Sequence, residues 1–392
     1  MRVIIVNNFA HQTGGADQHC FWLAEALRRR GHEVAFLATA DDRNTEHEGV
    51  FIPCTVTHAS RDHLSLVRQA GVFAGALWNR SAGRAMRQLL DEFRPDVVHA
   101  HKLYPQLSVA PVVVASRAGF PVVQTLHDFE MISSSPIDAR GGWWDRDEAK
   151  IRYQALNSAT RPVHRFVHAP RVDAFVSVSR FVARVHASCG IQATVLPNFV
   201  PPVPNAESLS GYDARRGIAF LGRLRPEKGV LDVVEMAQYV DGIDVTIVGS
   251  GDLEETVRSA SQSTPNLHAA GFVSAPTLQK IIERSRVLVI PSRCQDAGPL
   301  VPLESMSHGT PVVAYSVGGL GEYVADAGGG RVIPSDVQAM AAAATEIHED
   351  RATWERLSSR GLAAIAEHHT PDVYAERLEE IYRSVMTSRR AA

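Results

Sequence analysis

Two cations at one strand end carry the clearest chemistry in this sequence. Arg223 and Lys228 stand in Gly222-Arg-Leu-Arg-Pro-Glu-Lys-Gly229, directly after the apolar run 218–221 and before a helical pattern. A helix N-terminus presents free amides and the positive end of its dipole. Two cationic side chains beside such amides can neutralise a diphosphate. A solvated basic turn has the same composition, so this segment alone leaves both readings open.

Other residues at strand ends add to it. Val248-Gly-Ser-Gly-Asp252 also runs from strand to helix. Gly249 and Gly251 would let backbone approach a ligand, or simply shape a tight turn. Glu254 occupies the third glycine's place, so this is not a dinucleotide fingerprint. In the block 291–313, Asp296 lies in a loop and Glu304 on the helix that follows. Carboxylates beyond a strand end accept hydrogen bonds from sugar or ribose hydroxyls, and Gly298 with the amides beside it can face a phosphate. A cap and a solvated face would use the same residues. In the first half, Gly14-Gly15 follows the first strand, His127 follows the strand 122–126, and Asn198 ends the last strand. His99 and His101 share one strand face, and His101 is placed to line an acceptor pocket. A metal centre needs more ligands than this pair, and none is evident nearby in sequence, so no metal is expected.

The elements that must hold these residues alternate regularly. Short apolar runs at 3–6, 34–37, 96–100, 122–126, 174–178 and 194–196 read as buried parallel strands. Helical patterns between them include 20–27, 106–117 and 180–189. Pro201-Pro-Val-Pro204 reads as a stiff linker. After it the alternation restarts, with strands at 218–221, 245–248, 287–290 and 312–314 and helices at 229–240, 252–260, 276–285 and 300–308. The fold class is therefore α/β, with two doubly wound Rossmann-like domains in tandem and a ligand cleft expected between them. The boundaries are 1–200 and 201–371. Tyr374, Leu378, Ile381, Tyr382 and Val385 form a helical stripe, and this C-terminal helix, 372–392, is expected to return to the first domain.

Composition excludes several classes. A chain of 392 residues is long enough for two cores. With a formal net charge of −3 and no basic tail, a nucleic-acid surface over the whole protein is not expected. Four scattered cysteines make neither a disulfide framework nor a metal pairing and suit a reducing, cytoplasmic compartment. The apolar start, 3–6, is too short for a signal segment, and no run reaches the roughly 18 residues a span needs. Residues 61–90 hold five arginines and one acid, with Val67, Phe73, Leu77 and Trp78 as apolar anchors. They form either a helix packed on its domain or a face that touches the inner membrane surface peripherally. Trp143-Trp144 reads as core or as a platform for a sugar.

Taken in order, these segments resemble the retaining glycosyltransferases of family 4. The match runs from Gly14-Gly15 through Asp96-Val-Val-His-Ala-His101, His127-Asp128, Pro197-Asn198, Gly222-Arg223 with Lys228-Gly229 and Val248-Gly-Ser-Gly251 to the 291–313 block. The resemblance implies the GT-B architecture and transfer of a hexosyl group from a UDP- or GDP-sugar to an acceptor hydroxyl. It implies front-face attack with retention, no metal and no cofactor beyond the sugar nucleotide. The acceptor would be a saccharide, a lipid-linked molecule or a small molecule. Arg223 and Lys228 would hold the pyrophosphate, Glu304 the ribose, and the Leu300 and Val301 amides the phosphates. Val273 would lie near the base, Gly15 near the diphosphate, and His127 at the donor sugar. Asn198, Gly249, Gly251 and Gly298 complete the donor set. The family usually has Glu where this chain has Asp296, so Asp296 is expected to act in donor choice rather than in holding the nucleotide. A sugar-nucleotide epimerase of similar fold, or a binding protein without turnover, would carry many of the same residues.

Overall fold

The computed structural model describes residues 1–46, 48–53, 75–104, 106–132, 162–203 and 209–391. The chain divides into two compact units. One comprises Met1–Ser135, Asp145–Asn198 and Pro371–Ala392, and the other Phe199–Thr370.

In the first unit, seven parallel strands follow the order β3-β2-β1-β4-β5-β6-β7. They are β1 (Arg2–Phe9), β2 (Glu33–Ala40), β3 (Gly49–Pro53), β4 (Val97–Ala100), β5 (Val122–Leu126), β6 (Ala174–Ser177) and β7 (Ala193–Val195). Helices α1 (Gly15–Arg29), α2 (Arg80–Phe93), α3 (Ala110–Arg117) and α4 (Arg180–Ala187) connect them. The central strands are apolar throughout because both faces are covered; Ile4, Ile5 and Val6 are fully buried. Strand order reverses between β1 and β4, where Val3 pairs with Val97 and Val6 with Ala100. That reversal opens a crevice beyond the strand ends, which is where doubly wound sheets bind ligands.

Repetition of the plan forms the second unit, a six-stranded parallel sheet in the order β10-β9-β8-β11-β12-β13. Its strands are β8 (Ile218–Leu221), β9 (Val245–Val248), β10 (Leu267–Gly271), β11 (Val287–Ile290), β12 (Val312–Tyr315) and β13 (Gly330–Ile333). Its helices are α5 (Val230–Met236), α6 (Glu254–Ser263), α7 (Ala275–Arg284), α8 (Val301–Ser307), α9 (Gly318–Ala327), α10 (Val337–Glu349) and α11 (Arg351–His368). One core runs from Ile218, Phe220 and Val245 to Met340, Ile347 and Trp354. The switch point here lies between β8 and β11.

The last helix, α12 (Pro371–Ala391), belongs to the first unit. Tyr374, Leu378, Tyr382 and Val385 are buried on one face. Glu379 on the same helix pairs with Arg30 at 2.5 Å and His32 at 3.0 Å.

The apolar face of α2 (Ala82, Ala85, Met86, Leu89 and Leu90) is buried in its own unit, leaving Arg80, Arg84 and Arg87 in water. Trp78 just before it is 39% exposed. Residues 61–74 and Trp143-Trp144 lie outside the described residues. Among the described residues no helix is long and apolar enough to cross a membrane.

Candidate functional site

Each unit gathers chemistry at its own switch point. In the first, Asn7 lies near the end of β1 and is fully buried. Its amide nitrogen donates to Asp17 Oδ1 at 2.8 Å, and its oxygen accepts the backbone N–H of Lys102 at 3.2 Å. Asp17 also accepts the backbone N–H of Thr13 at 3.2 Å. These bonds tie the glycine loop to both strands and fix Gly15 as the first residue of α1.

Four histidines cluster behind that loop. His99 on β4 is held from both sides, by the Tyr382 hydroxyl at 2.7 Å and the Thr125 hydroxyl at 2.8 Å. His101, just past β4, has Nδ1 2.9 Å from Nε2 of His127, just past β5. His19 reaches them from α1, with its ring centroid 4.9 Å from that of His127. Asn198, after β7, lies close to His19. Burial removes the water that would solvate a charged ring. It pushes His19 and His99 down to about 3, and His101 and His127 well below the ordinary value. All four rings are therefore neutral near pH 7.

Beside this cluster, Lys102 and Asp128 form an ion pair at 3.0 Å. The charge of Asp128 holds the lysine above its usual value. Glu130 accepts the backbone N–H of Leu103 at 3.0 Å. Burial, with Asp128 close by, pushes its carboxyl up to about 8.

In the second unit, β8 ends in Gly222, and Pro226–Lys228 forms a single 3-10 turn before α5. Gly229 has φ +70°, and a Cβ there would lie 1.8 Å from the carbonyl oxygen of Pro291. Only glycine lets the turn close on β11. The loop after β11 is stitched back to the turn, because the backbone N–H groups of Arg293 and Cys294 donate to Glu227 at 2.9 and 3.2 Å. Arg293 grips Asp232 through two nitrogens, with contacts of 2.7 to 3.1 Å, and Tyr315 donates to the same carboxylate at 2.8 Å.

That stitching sets Asp296 against Lys228, 2.5 Å from Oδ1 to Nζ. The N–H of Gly319, at the start of α9, donates to the Asp296 carbonyl at 2.7 Å and fixes the loop. Asp296 therefore neutralises the ammonium assigned to the pyrophosphate, and it cannot be assigned to the donor sugar alone. Arg223 is exposed and forms no ion pair among the described residues.

Glu304 sits in the first turn of α8, after Leu300 and Val301. Burial pushes its carboxyl up to about 7. Val273 follows β10, next to Phe272, which is 82% exposed. Gly249 and Gly251 have a different immediate use from ligand approach. A Cβ on Gly249 would lie 1.8 Å from the Gly222 carbonyl oxygen, and one on Gly251 2.6 Å from that of Leu224. These glycines let the β9 loop pack on the β8 loop that carries Arg223.

Sequence reasoning passed over His19, Asn7, Asp17, Lys102 and Glu130. His19 had a legible signal, since it stands four residues before Leu23 on the inward stripe of α1, where a polar residue is out of place.

Known proteins share the family and the fold. The family description "Glycosyltransferase Family 4" matches residues 13–203, and "Glycosyl transferases group 1" matches residues 215–350. The chain belongs to the glycosyltransferases of family 4 and group 1. This glycosyltransferase is 29% identical to the 2-deoxystreptamine N-acetyl-D-glucosaminyltransferase of Streptomyces fradiae, over 98% of this chain and 96% of that one. It is 26% identical to the phosphatidyl-myo-inositol mannosyltransferase of Mycolicibacterium smegmatis, over 86% of this chain and 82% of the relative. Among solved structures, sucrose-phosphate synthase from Thermosynechococcus elongatus superposes with a TM-score of 0.71 at 18% identity, covering 99% of both chains. The Anabaena protein Alr3699/HepE in complex with UDP superposes with a TM-score of 0.67 at 17% identity, covering 98% of this chain and 100% of that one. The glycosyltransferase thus has the GT-B fold class, with two doubly wound Rossmann-like units.

Proposed function

We propose that this glycosyltransferase moves a hexosyl group from a UDP- or GDP-sugar to an acceptor hydroxyl with retention of configuration. The observation that carries the reading is the pair of cations at the β8/β11 switch point: Arg223 in water, and Lys228 held at 2.5 Å by Asp296. As the bond from C1 to the phosphate oxygen breaks, negative charge grows on the diphosphate. Lys228 and Arg223 stabilise that charge more in the transition state than in the ground state. The acceptor hydroxyl attacks C1 from the side the phosphate leaves, and the departing phosphate oxygen takes the hydroxyl proton. No metal ion is needed, because side-chain cations and the Leu300 and Val301 amides supply the positive charge. Glu304 binds the ribose, Val273 lies at the base, and His127 meets the donor sugar. A nucleotide donor is supported by the HepE complex with UDP. The relatives named above carry the names of unlike acceptors, 2-deoxystreptamine and phosphatidyl-myo-inositol. On this reading acceptor choice is a property of the first unit, where His101 and Glu130 stand.

The test is a panel of sugar nucleotides and acceptors, read by released nucleoside diphosphate and by the anomeric configuration of the product. Retained configuration in a glycosylated acceptor is the expected result. An altered sugar nucleotide without acceptor use would indicate an epimerase. Binding without turnover across a broad acceptor panel would indicate a binding protein.

A further inference from the structure

The histidine cluster of the first unit has a geometry that donor binding does not require. His19, His101 and His127 come from three different elements, the helix α1 and the ends of β4 and β5. One ring nitrogen from each lies within 4.8 Å of the others. Nδ1 of His101 and Nε2 of His127 are already 2.9 Å apart. Around one tetrahedral ion bound at about 2.05 Å, ligand nitrogens lie about 3.3 Å from one another. Binding would open the pair by a few tenths of an ångström and draw the His19 ring in by up to about 1.5 Å.

The His101 ring is also left incompletely satisfied on its other nitrogen. His101 is 2% exposed, and its Nε2 has no hydrogen-bond partner among the described residues. Either tautomer of the His101–His127 pair leaves that nitrogen orphaned, as donor or as acceptor, and buried polar atoms are seldom left so. If His101 is the acceptor in the pair, its Nε2 carries an unsatisfied proton. If it is the donor, Nε2 presents an unused lone pair.

We propose that His19, His101 and His127 together bind one divalent transition-metal ion of the zinc type, an ion that sugar transfer does not use. Three neutral imidazoles suit zinc, nickel or copper, whereas magnesium and calcium prefer oxygen ligands. Lys102 is the nearby positive charge that opposes a cation, and its 3.0 Å pairing with Asp128 offsets it. The Tyr374 ring packs edge-on against His19 at 4.9 Å, which orients this ligand before the ion arrives. Three protein ligands leave a fourth position open. On the donor reading above, an ion there would occupy His127 and exclude the donor sugar, making the site inhibitory. That consequence rests on the proposed function; the binding does not.

The experiment strips the full chain with chelator, adds excess Zn2+ or Co2+, removes free metal by gel filtration and measures what stays. One equivalent of zinc should remain, and the cobalt form should show visible bands of a low-coordinate nitrogen site. His101→Gln and His127→Gln should each lose the metal, with circular dichroism showing that they remain folded. His164→Gln should retain it; His164 and His168 form a separate pair at 3.3 Å. Absence of retained metal in the wild-type chain, or undiminished retention in His101→Gln, would overturn the site. In the transfer assay, zinc should inhibit and chelator should restore the rate. Zinc retained at one equivalent with an undiminished rate would overturn the inhibitory role while leaving the site.

Discussion

Asp296 reaches Lys228 across the β8 and β11 loops, with its Oδ1 2.5 Å from the ammonium. Both side chains are partly buried, 22% exposed for the lysine and 17% for the aspartate. From the sequence, Asp296 is expected at the donor sugar, with little effect on the nucleotide. The pairing changes that expectation, because a diphosphate must compete with this carboxylate for Lys228. Asp296→Asn should therefore tighten binding of free nucleoside diphosphate, by roughly two- to fivefold for a partly exposed pair, while slowing transfer. Titration calorimetry reads the first and initial rates the second. Unchanged affinity with slowed transfer would return Asp296 to the sugar alone.

The β9 glycines make a sharper structural prediction. Gly249→Ala drives a Cβ to 1.8 Å from the Gly222 carbonyl oxygen at φ +143°. We expect a cost of about 3 kcal/mol or more, read as a lower urea midpoint. Gly242 also has positive φ, +69°, but a Cβ there meets nothing within 4 Å. Gly242→Ala should cost only about 1 kcal/mol. Equal losses at the two positions would mean that strain alone, and not the packing of the two loops, requires Gly249.

The C-terminal helix should give a pH signature. The Arg30 guanidinium, with His32 beside it, holds the Glu379 carboxyl down to about 2. A depressed carboxylate stabilises the fold above its unfolded value, near 4.5, and the contribution is lost as pH falls through the folded value. Glu379→Gln should lower stability at pH 7 by about 1 kcal/mol, a modest figure because Arg30 and Arg383 are partly in water and screen the pair. The difference from wild type should shrink between about pH 4.5 and 2. Melting curves across that window provide the check, and a difference constant with pH would show that packing rather than charge is lost.

Metal removal separates transfer from the histidine cluster. Transfer should survive excess EDTA, and should rise if the protein carries zinc. Abolition by EDTA with rescue by magnesium or manganese would require a metal at the diphosphate, a role the side-chain cations fill in this account.

Much of the fold was legible because buried parallel strands are apolar on both faces. β1, β4, β5, β8, β9, β11 and β12 all stood out as short runs. The strands that escaped notice, β3, β10 and β13, are all sheet edges. In β10 only Leu267 is buried, and β13 is half-buried along its whole length. An edge strand needs no continuous apolar run, so its sequence carries little signal. The predicted helix 106–117 begins four residues late, at Ala110, because the N–H groups of Leu107 and Ser108 turn back to the Leu103 carbonyl before Pro111 takes its place in the first turn. At the site, residues on the strand ends were visible from spacing. Asp296 with Lys228 and His19 with His127 were not, since each pair joins segments far apart in sequence that only the sheet order brings together.

The central claim is that Arg223 and Lys228 stabilise a departing nucleoside diphosphate. Arg223 offers the cleanest variant, because it is exposed and its loss should leave the fold intact. The most direct measurement is the transfer rate of Arg223→Ala from the donor that the wild type prefers, beside its melting temperature. Turnover should fall by about two to three orders of magnitude, as for other preorganised groups aimed at developing charge, with an unchanged melting temperature. Turnover close to wild type in a folded Arg223→Ala protein would contradict it.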